Sequence, residues 1–322
     1  MRYRLLLLLG AAALLVGVAR AEPASADAVG WLGRIATAAQ KLSYTGVFVY
    51  QNGQHSETSR IVHVVDLWGE QERLEAMDGS PREVLRTDGE VVCYLPAQRM
   101  VLKDQEGEHQ AFPASLPASL SGLSESYLIR KGDVVRIAGQ DAQQIVLEPR
   151  DTFRYGHLLW ADVGSGLLLK ARMVDEKNEI LEQFTFTQVQ IGGTIDRAAL
   201  KSRLAAGAGD WRVHDARGSE ELADVRGWSF RNSIPGFRKT ASLKRDLGAN
   251  GREVVHLVFS DGVASISVFI EPVLPKEKPV AGLFKSGATT IYKRIAGDQL
   301  VTVLGEVPPR TLKRLGDGIE RK

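Results

Sequence analysis

The chain has 322 residues, 44% of them hydrophobic and 25% charged, with a formal net charge of +2. These proportions exclude a disordered chain, a collagen-like repeat and a bundle of membrane spans. At roughly 100–200 residues per domain, the length predicts about two domains, each able to bury its own core.

In chain order, residues 1–21 read as a signal peptide. Arg2 and Arg4 precede an apolar run over 5–18 that is too short for a spanning helix, and Ala19-Arg20-Ala21 forms an A-x-A cleavage site. Processing after Ala21 makes Glu22 the expected first residue of an exported chain that has no membrane anchor. It also removes three arginines, leaving 38 bases against 39 acids. Divided near residue 205, the mature chain is net −6 in front and net +5 behind, which points to two modules with different partners.

Over 25–42, Val29, Leu32, Ile35, Ala36, Ala39 and Leu42 recur at three and four, predicting an amphipathic helix. Strands are expected at 44–50, 60–67, 70–77, 83–87, 91–95 and 100–103, most of them separated by turn formers such as Asp88-Gly89. Such short connections make an antiparallel meander. Leu116, Leu120, Leu123 and Tyr127 step by four, three and four, which predicts a second short helix. Strands resume at 134–137, 142–148, 156–162, 167–174 and 180–190. Two helices with about eleven strands predict a curved sheet and not a doubly wound fold.

The run Ala205-Ala206-Gly207-Ala208-Gly209 has the composition of a flexible linker, so the expected divisions are 22–200, a linker at 201–217, and 218–322. Strands in the second module are predicted at 228–230, 240–246, 253–260, 263–271, 288–295 and 299–305. Ser260-Asp261-Gly262 is a hairpin turn there, and a short helix over 308–316 has Pro308 at its start. This is a small α+β domain with an antiparallel sheet.

Catalytic signatures are lacking. No two of the six histidines stand at i, i+4 on a helix, Cys93 is the only cysteine, and neither a nucleophile elbow nor a phosphate-binding glycine loop occurs. No metal, cofactor or catalytic residue is assigned, and nucleic acid is a poor fit to a near-neutral exported chain. More informative is the apolar alternation of Phe48 and Tyr50, of Leu167, Leu169, Ala171 and Met173, and of Ile180, Phe184 and Phe186. Two short helices cannot cover so large a sheet, which leaves an apolar cavity. Its candidate lining is Phe48, Tyr50, Leu120, Leu123, Leu169, Met173, Ile180, Phe184 and Phe186. In the second module Arg238, Lys239, Lys244 and Arg245 place four bases within eight residues, a candidate docking patch for an acidic polypeptide or a phosphate-bearing lipid head group.

Three segments carry a family resemblance: Arg154-Tyr155-Gly156-His157-Leu158-Leu159-Trp160-Ala161-Asp162, then Gly166-Leu167-Leu168-Leu169-Lys170, then Ile180-Leu181-Glu182-Gln183-Phe184-Thr185-Phe186. With Pro235-Gly236-Phe237, the run from Phe259-Ser260-Asp261-Gly262 to Phe269-Ile270-Glu271-Pro272, and Gly305-Glu306-Val307-Pro308, they resemble the RseB/MucB family across both modules. The front half is also similar to the LolA and LolB lipoprotein carriers. The resemblance implies an N-terminal unclosed antiparallel half-barrel with helices on its concave face, followed by the smaller α+β domain. It further implies a periplasmic, non-enzymatic negative regulator of an envelope-stress sigma factor. Such a protein binds the periplasmic part of a single-span anti-sigma factor of the RseA/MucA type, shields it from proteolysis, and lets go when lipid, lipopolysaccharide or lipoprotein acyl chains enter the cavity. A homo-oligomer is compatible with this, and two alternatives stay open: a periplasmic lipoprotein carrier of the LolA type, and a periplasmic hydrolase, which would need a triad assembled in space from distant residues.

Overall fold

The computed structural model describes residues 26–105, 122–215, 221–222, 225, 227–246, 253–274 and 278–322. The expected signal peptide, and Leu116 and Leu120 of the expected second helix, lie outside them.

The helix α1 (Ala26–Lys41) buries Ala28, Trp31, Leu32, Ile35 and Ala38. That stripe lies slightly to one side of the predicted one, and Val29 and Ala36 pack at its margin. Next come β1 (Tyr44–Asn52), β2 (His55–Asp66), β3 (Gly69–Ala76), β4 (Glu83–Thr87), β5 (Glu90–Leu95) and β6 (Met100–Gln105). A single helical turn, α2 (Leu123–Ser126), leads into β7 (Tyr127–Ile137), β8 (Gln140–Pro149), β9 (Gly156–Asp162), β10 (Leu168–Val174) and β11 (Ile180–Ile191). Tyr127, expected at the end of the helix, is therefore the first residue of a strand. Its periodic spacing from Leu123 reflects a shared core, since both are buried with Trp31, Leu32 and Ile35.

These eleven strands are the ones the alternation predicted, and one more joins them. The sheet runs β12-β6-β5-β4-β3-β2-β1-β11-β10-β9-β8-β7, so the β1–β11 pairing closes two meanders into one curved, unclosed sheet. The added strand, β12 (Arg212–Asp215), comes from the segment whose composition reads as a linker, and it lies parallel on β6. Upstream, the buried Glu83 carboxylate accepts Ser202 Oγ at 2.5 Å and Arg203 N at 3.1 Å, with Arg73 Nη2 at 2.7 Å. Burial pushes Glu83 up, but those donors outweigh it and hold the acid below its ordinary value. The segment over 201–215 is thus tied along the front sheet.

The second domain contains β13 (Glu221–Leu222), β14 (Trp228–Phe230), β15 (Arg238–Asp246), β16 (Glu253–Ser260), β17 (Ser265–Pro272), β18 (Gly282–Ser286), β19 (Thr289–Ala296), β20 (Gln299–Gly305), α3 (Pro309–Asp317) and β21 (Ile319–Arg321). Seven strands form a sheet in the order β13-β15-β16-β17-β20-β19-β18, and β14 pairs with β21. Pro309 opens α3, where its missing N–H costs nothing, and Leu312 and Leu315 bury against Val301 and Val303. Short β18 and β21 carried too few alternating residues to stand out in the sequence.

Candidate functional site

The two domains meet around one buried arginine. Arg154 lies in the loop before β9, with 1% of its side chain exposed, and faces Asp261 of the β16–β17 turn, whose side chain is 0% exposed. Arg154 Nη1 donates to Asp261 Oδ2 at 2.6 Å, and Nη2 donates to the Pro235 carbonyl at 2.5 Å. Nε and Nη2 also hold the two oxygens of Asp151, at 3.1 and 3.0 Å. Tyr127 donates to Asp261 Oδ2 at 3.1 Å, while Asp261 Oδ1 accepts Val263 N and Ala264 N at 2.9 and 2.8 Å. The rings of Tyr127 and Phe237 lie 5.5 and 5.2 Å from the guanidinium carbon. Every charge in this joint has several partners, which makes a buried ion pair tolerable.

The local sequence explains why the chain can come so close. Gly236 has φ +78°, and a Cβ there would meet Ser126 Oγ at 2.4 Å and Arg154 Nη1 at 3.1 Å. Glycine supplies both the left-handed backbone and the room. Beyond Asp261 the turn carries Val263 into the core of the front domain, where it is buried with Trp31, Tyr127 and Leu159. Thr311 Oγ1 donates to the Phe153 carbonyl at 2.8 Å, Ala288 N donates to Asn52 Oδ1 at 2.5 Å, and Arg310 Nη2 donates to Glu176 Oε2 at 2.9 Å, adding further contacts between the domains.

Beside this joint is a cavity of about 720 Å³, within the range of small-molecule sites. The front domain supplies Phe48, Tyr50, Ile61, Leu74, Ala171, Met173, Phe184 and Phe186, and the second domain supplies Val263, Ser265, Ser267, Thr289, Leu304 and Glu306. The sequence placed the cavity in the front module alone; its wall belongs to both. Phe48, Phe184 and Phe186 form a tight aromatic group with centroids 4.9–5.9 Å apart. Gly46 makes room for it, because a Cβ there would lie 2.5 Å from Phe186 Cε1.

Five of the nine candidates, Phe48, Tyr50, Met173, Phe184 and Phe186, line the cavity together. Leu123 is instead buried under α1, and Leu169 is fully buried with Trp160 and Leu167. Ile180 is 48% exposed, and Leu120 is outside the described residues. Bulges account for Leu169 and Ile180. The β9 partners shift register between Leu168 and Lys170, and β11 gains an extra residue, Leu181, between Ile180 and Glu182. One inserted residue reverses the alternation on its far side.

Sequence reasoning missed the polar groups in this cavity. Glu182 of β11 and Glu306, just after β20, lie side by side from opposite domains and within reach of Tyr50. Burial, and then the neighbouring Glu306, pushes Glu182 up from 4.5 to about 7. Glu306 is also raised by burial, and Tyr50 is pushed above its ordinary value by burial and by Glu182. His157, in the same wall, is pushed down to about 4 by burial. An acid breaking the apolar alternation at Glu182 was the available signal. In the basic patch, Arg238 and Lys239 are exposed but consecutive on β15, so they leave on opposite faces, and Lys244 has a contact of its own. Arg245 follows on the same strand.

Comparison with known proteins agrees with this two-domain arrangement. The sigma factor AlgU regulatory protein MucB of Pseudomonas aeruginosa is 35% identical over 308 residues, covering 94% of each chain. The sigma-E factor regulatory protein RseB of Haemophilus influenzae is 26% identical, covering 94% of this chain and 93% of its own. The crystal structure of MucB in complex with MucA(peri) matches with a TM-score of 0.72 at 31% identity, over 92% of this chain and 99% of that one. The MucB/RseB N-terminal domain model matches residues 27–204 and the MucB/RseB C-terminal domain model residues 223–320, so the chain belongs to the MucB/RseB family.

Proposed function

We propose that the protein is a periplasmic negative regulator of an envelope-stress sigma factor. It grips the periplasmic region of a membrane anti-sigma factor, shields that region from proteolysis, and releases it when an acyl chain fills the cavity between its domains. The observation that carries this reading is the likeness, through both domains, to MucB in complex with MucA(peri). The function needs no covalent step, so its work is binding alone. Processing after Ala21 would deliver the chain to the compartment where the anti-sigma region lies. Arg238, Lys239, Lys244 and Arg245 would steer an acidic partner, with apolar contacts supplying most of the affinity.

The cavity suits an acyl chain. Burial yields about 0.8 kcal/mol per methylene, so ten methylenes supply about 8 kcal/mol before ordering costs, enough for roughly micromolar binding. The full protein is expected to bind both a fluorescent fatty-acyl probe and the periplasmic region of the anti-sigma factor from the same organism. Phe184 packs between Phe48 and Phe186 on the cavity wall, so Phe184→Glu should weaken the acyl probe by about ten-fold or more in a variant whose melting curve shows it folded. Acyl binding with no anti-sigma binding would favour the lipoprotein carrier instead. A folded protein that binds neither would overturn the reading.

A further inference from the structure

The open edge of the second domain has features that the cavity and the joint leave unexplained. β18 ends the seven-stranded sheet, with β19 as its one neighbour among the described residues. Two large apolar side chains stand uncovered on it, Leu283 at 52% and Phe284 at 39% exposure. As consecutive residues they lie on opposite faces. Paired residues share a face, so Leu283 extends the row Tyr292–Val303 and Phe284 the row Ile291–Leu304. Val303 is in the core under α3, and Leu304 is in the cavity wall.

A helix or flat surface laid on one face would cover one of these residues and leave the other in water. An added strand covers both and satisfies the free backbone edge as well. The charge indicates what kind of strand. Residues 278–297 contain four bases and no acid. Arg294 is turned inward to the Gly316 carbonyl, whereas Lys285 shares the Leu283 face and Lys293 the Phe284 face. Each face thus offers one apolar and one cationic neighbour to an incoming strand. A second copy of this chain would bring an edge of the same positive charge, with no acid over 278–297 to meet Lys285, which disfavours self-pairing.

We propose that β18 is a strand-addition site for an extended segment of the partner polypeptide in which acidic and apolar side chains are interspersed. This rests on the regulator reading and locates part of its grip. Because Phe284 and Leu304 belong to one cross-strand row, the docked strand would share a wall with the cavity, so each occupant would sense the other through packed side chains.

The test is hydrogen–deuterium exchange on the full protein, alone and with the periplasmic region of the anti-sigma factor from the same organism. Amides of 282–286 should become protected in the complex. Phe284→Glu on β18 and the double variant Lys278→Glu/Lys285→Glu, all at exposed positions on or just before that strand, should keep the melting temperature and weaken the complex about ten-fold or more. If a complex forms while 282–286 exchange as in the free protein, strand addition is wrong and the regulator reading survives. If no complex forms, both fail. Protection that appears without partner and grows with protein concentration would place a second copy on the edge and overturn the proposal.

Discussion

Replacing Asp261 with alanine is expected to split the thermal unfolding of this protein into two transitions. The substitution leaves the Arg154 guanidinium buried against Tyr127 and Phe237, with Asp151 as its one remaining acid partner among the described residues. It also removes the acceptor that Val263 N and Ala264 N use to shape the turn. Breaking one side of a buried pair costs about 3–5 kcal/mol, because the surviving charge stays desolvated. The loss falls on the joint, since Val263 enters the front core only while that turn holds its shape. Calorimetry should show one transition for the wild type and two for Asp261→Ala. The double variant Arg154→Met/Asp261→Leu should cost less than the sum of the single changes, because neither charge is left alone. Equal and additive losses within a single transition would show that the pair does not hold the domains together.

The second large effect is a pH dependence reversed from that of an ordinary carboxylate. Glu182 is raised from 4.5 to about 7 by burial and by Glu306. Between those values the folded state binds more protons than the unfolded one. The stabilisation from protonation is therefore present at the acidic end and is lost as pH rises through about 7. His157, lowered from 6.5 to about 4, works in the opposite direction and masks part of this slope in the wild type. Tyr50 is raised further from neutrality and stays protonated throughout. Arg172, Arg86 and Glu72 complete the charged lining and are common to both proteins compared. Measuring Glu182→Gln against wild type cancels the histidine. The variant should match wild type near pH 4.5 and exceed it by roughly 1–3 kcal/mol at pH 8, about one pH unit above the Glu182 transition. A stability difference that does not change with pH would mean the two carboxyls do not face each other across the closed joint.

Much of the fold was legible because strand alternation and turn chemistry are local. Eleven strands of the front sheet, the helix over 26–41 and the Pro-initiated α3 all follow from spacing alone. The exceptions have local causes. The segment around Ala205 has the composition of a linker, yet the buried pair Arg73–Glu83 captures Ser202 and Arg203 through contacts more than a hundred residues apart in sequence. Leu169 and Ile180 were assigned to the cavity by an alternation that β-bulges interrupt, and no residue type marks those bulges in advance. Arg154 and Asp261 both lie in the segments that carry the family resemblance. Their pairing was invisible because a tight turn such as Ser260-Asp261-Gly262 reads the same whether its acid faces water or an arginine. Glu182 and Glu306 meet only when two domains close, and no periodicity within either one records that.

On the proposed function, a ligand between the domains and the grip on the anti-sigma factor are linked. Calorimetric titration of the full protein with the anti-sigma periplasmic region, in the absence of the fatty-acyl probe and at saturation with it, tests that claim directly. Linkage requires that the acyl chain weaken the partner and the partner weaken the acyl chain by the same factor, and such couplings are typically about 5- to 150-fold. An equal reciprocal loss within that range is the predicted result; two ligands that each bind, with affinities indifferent to one another, would contradict it.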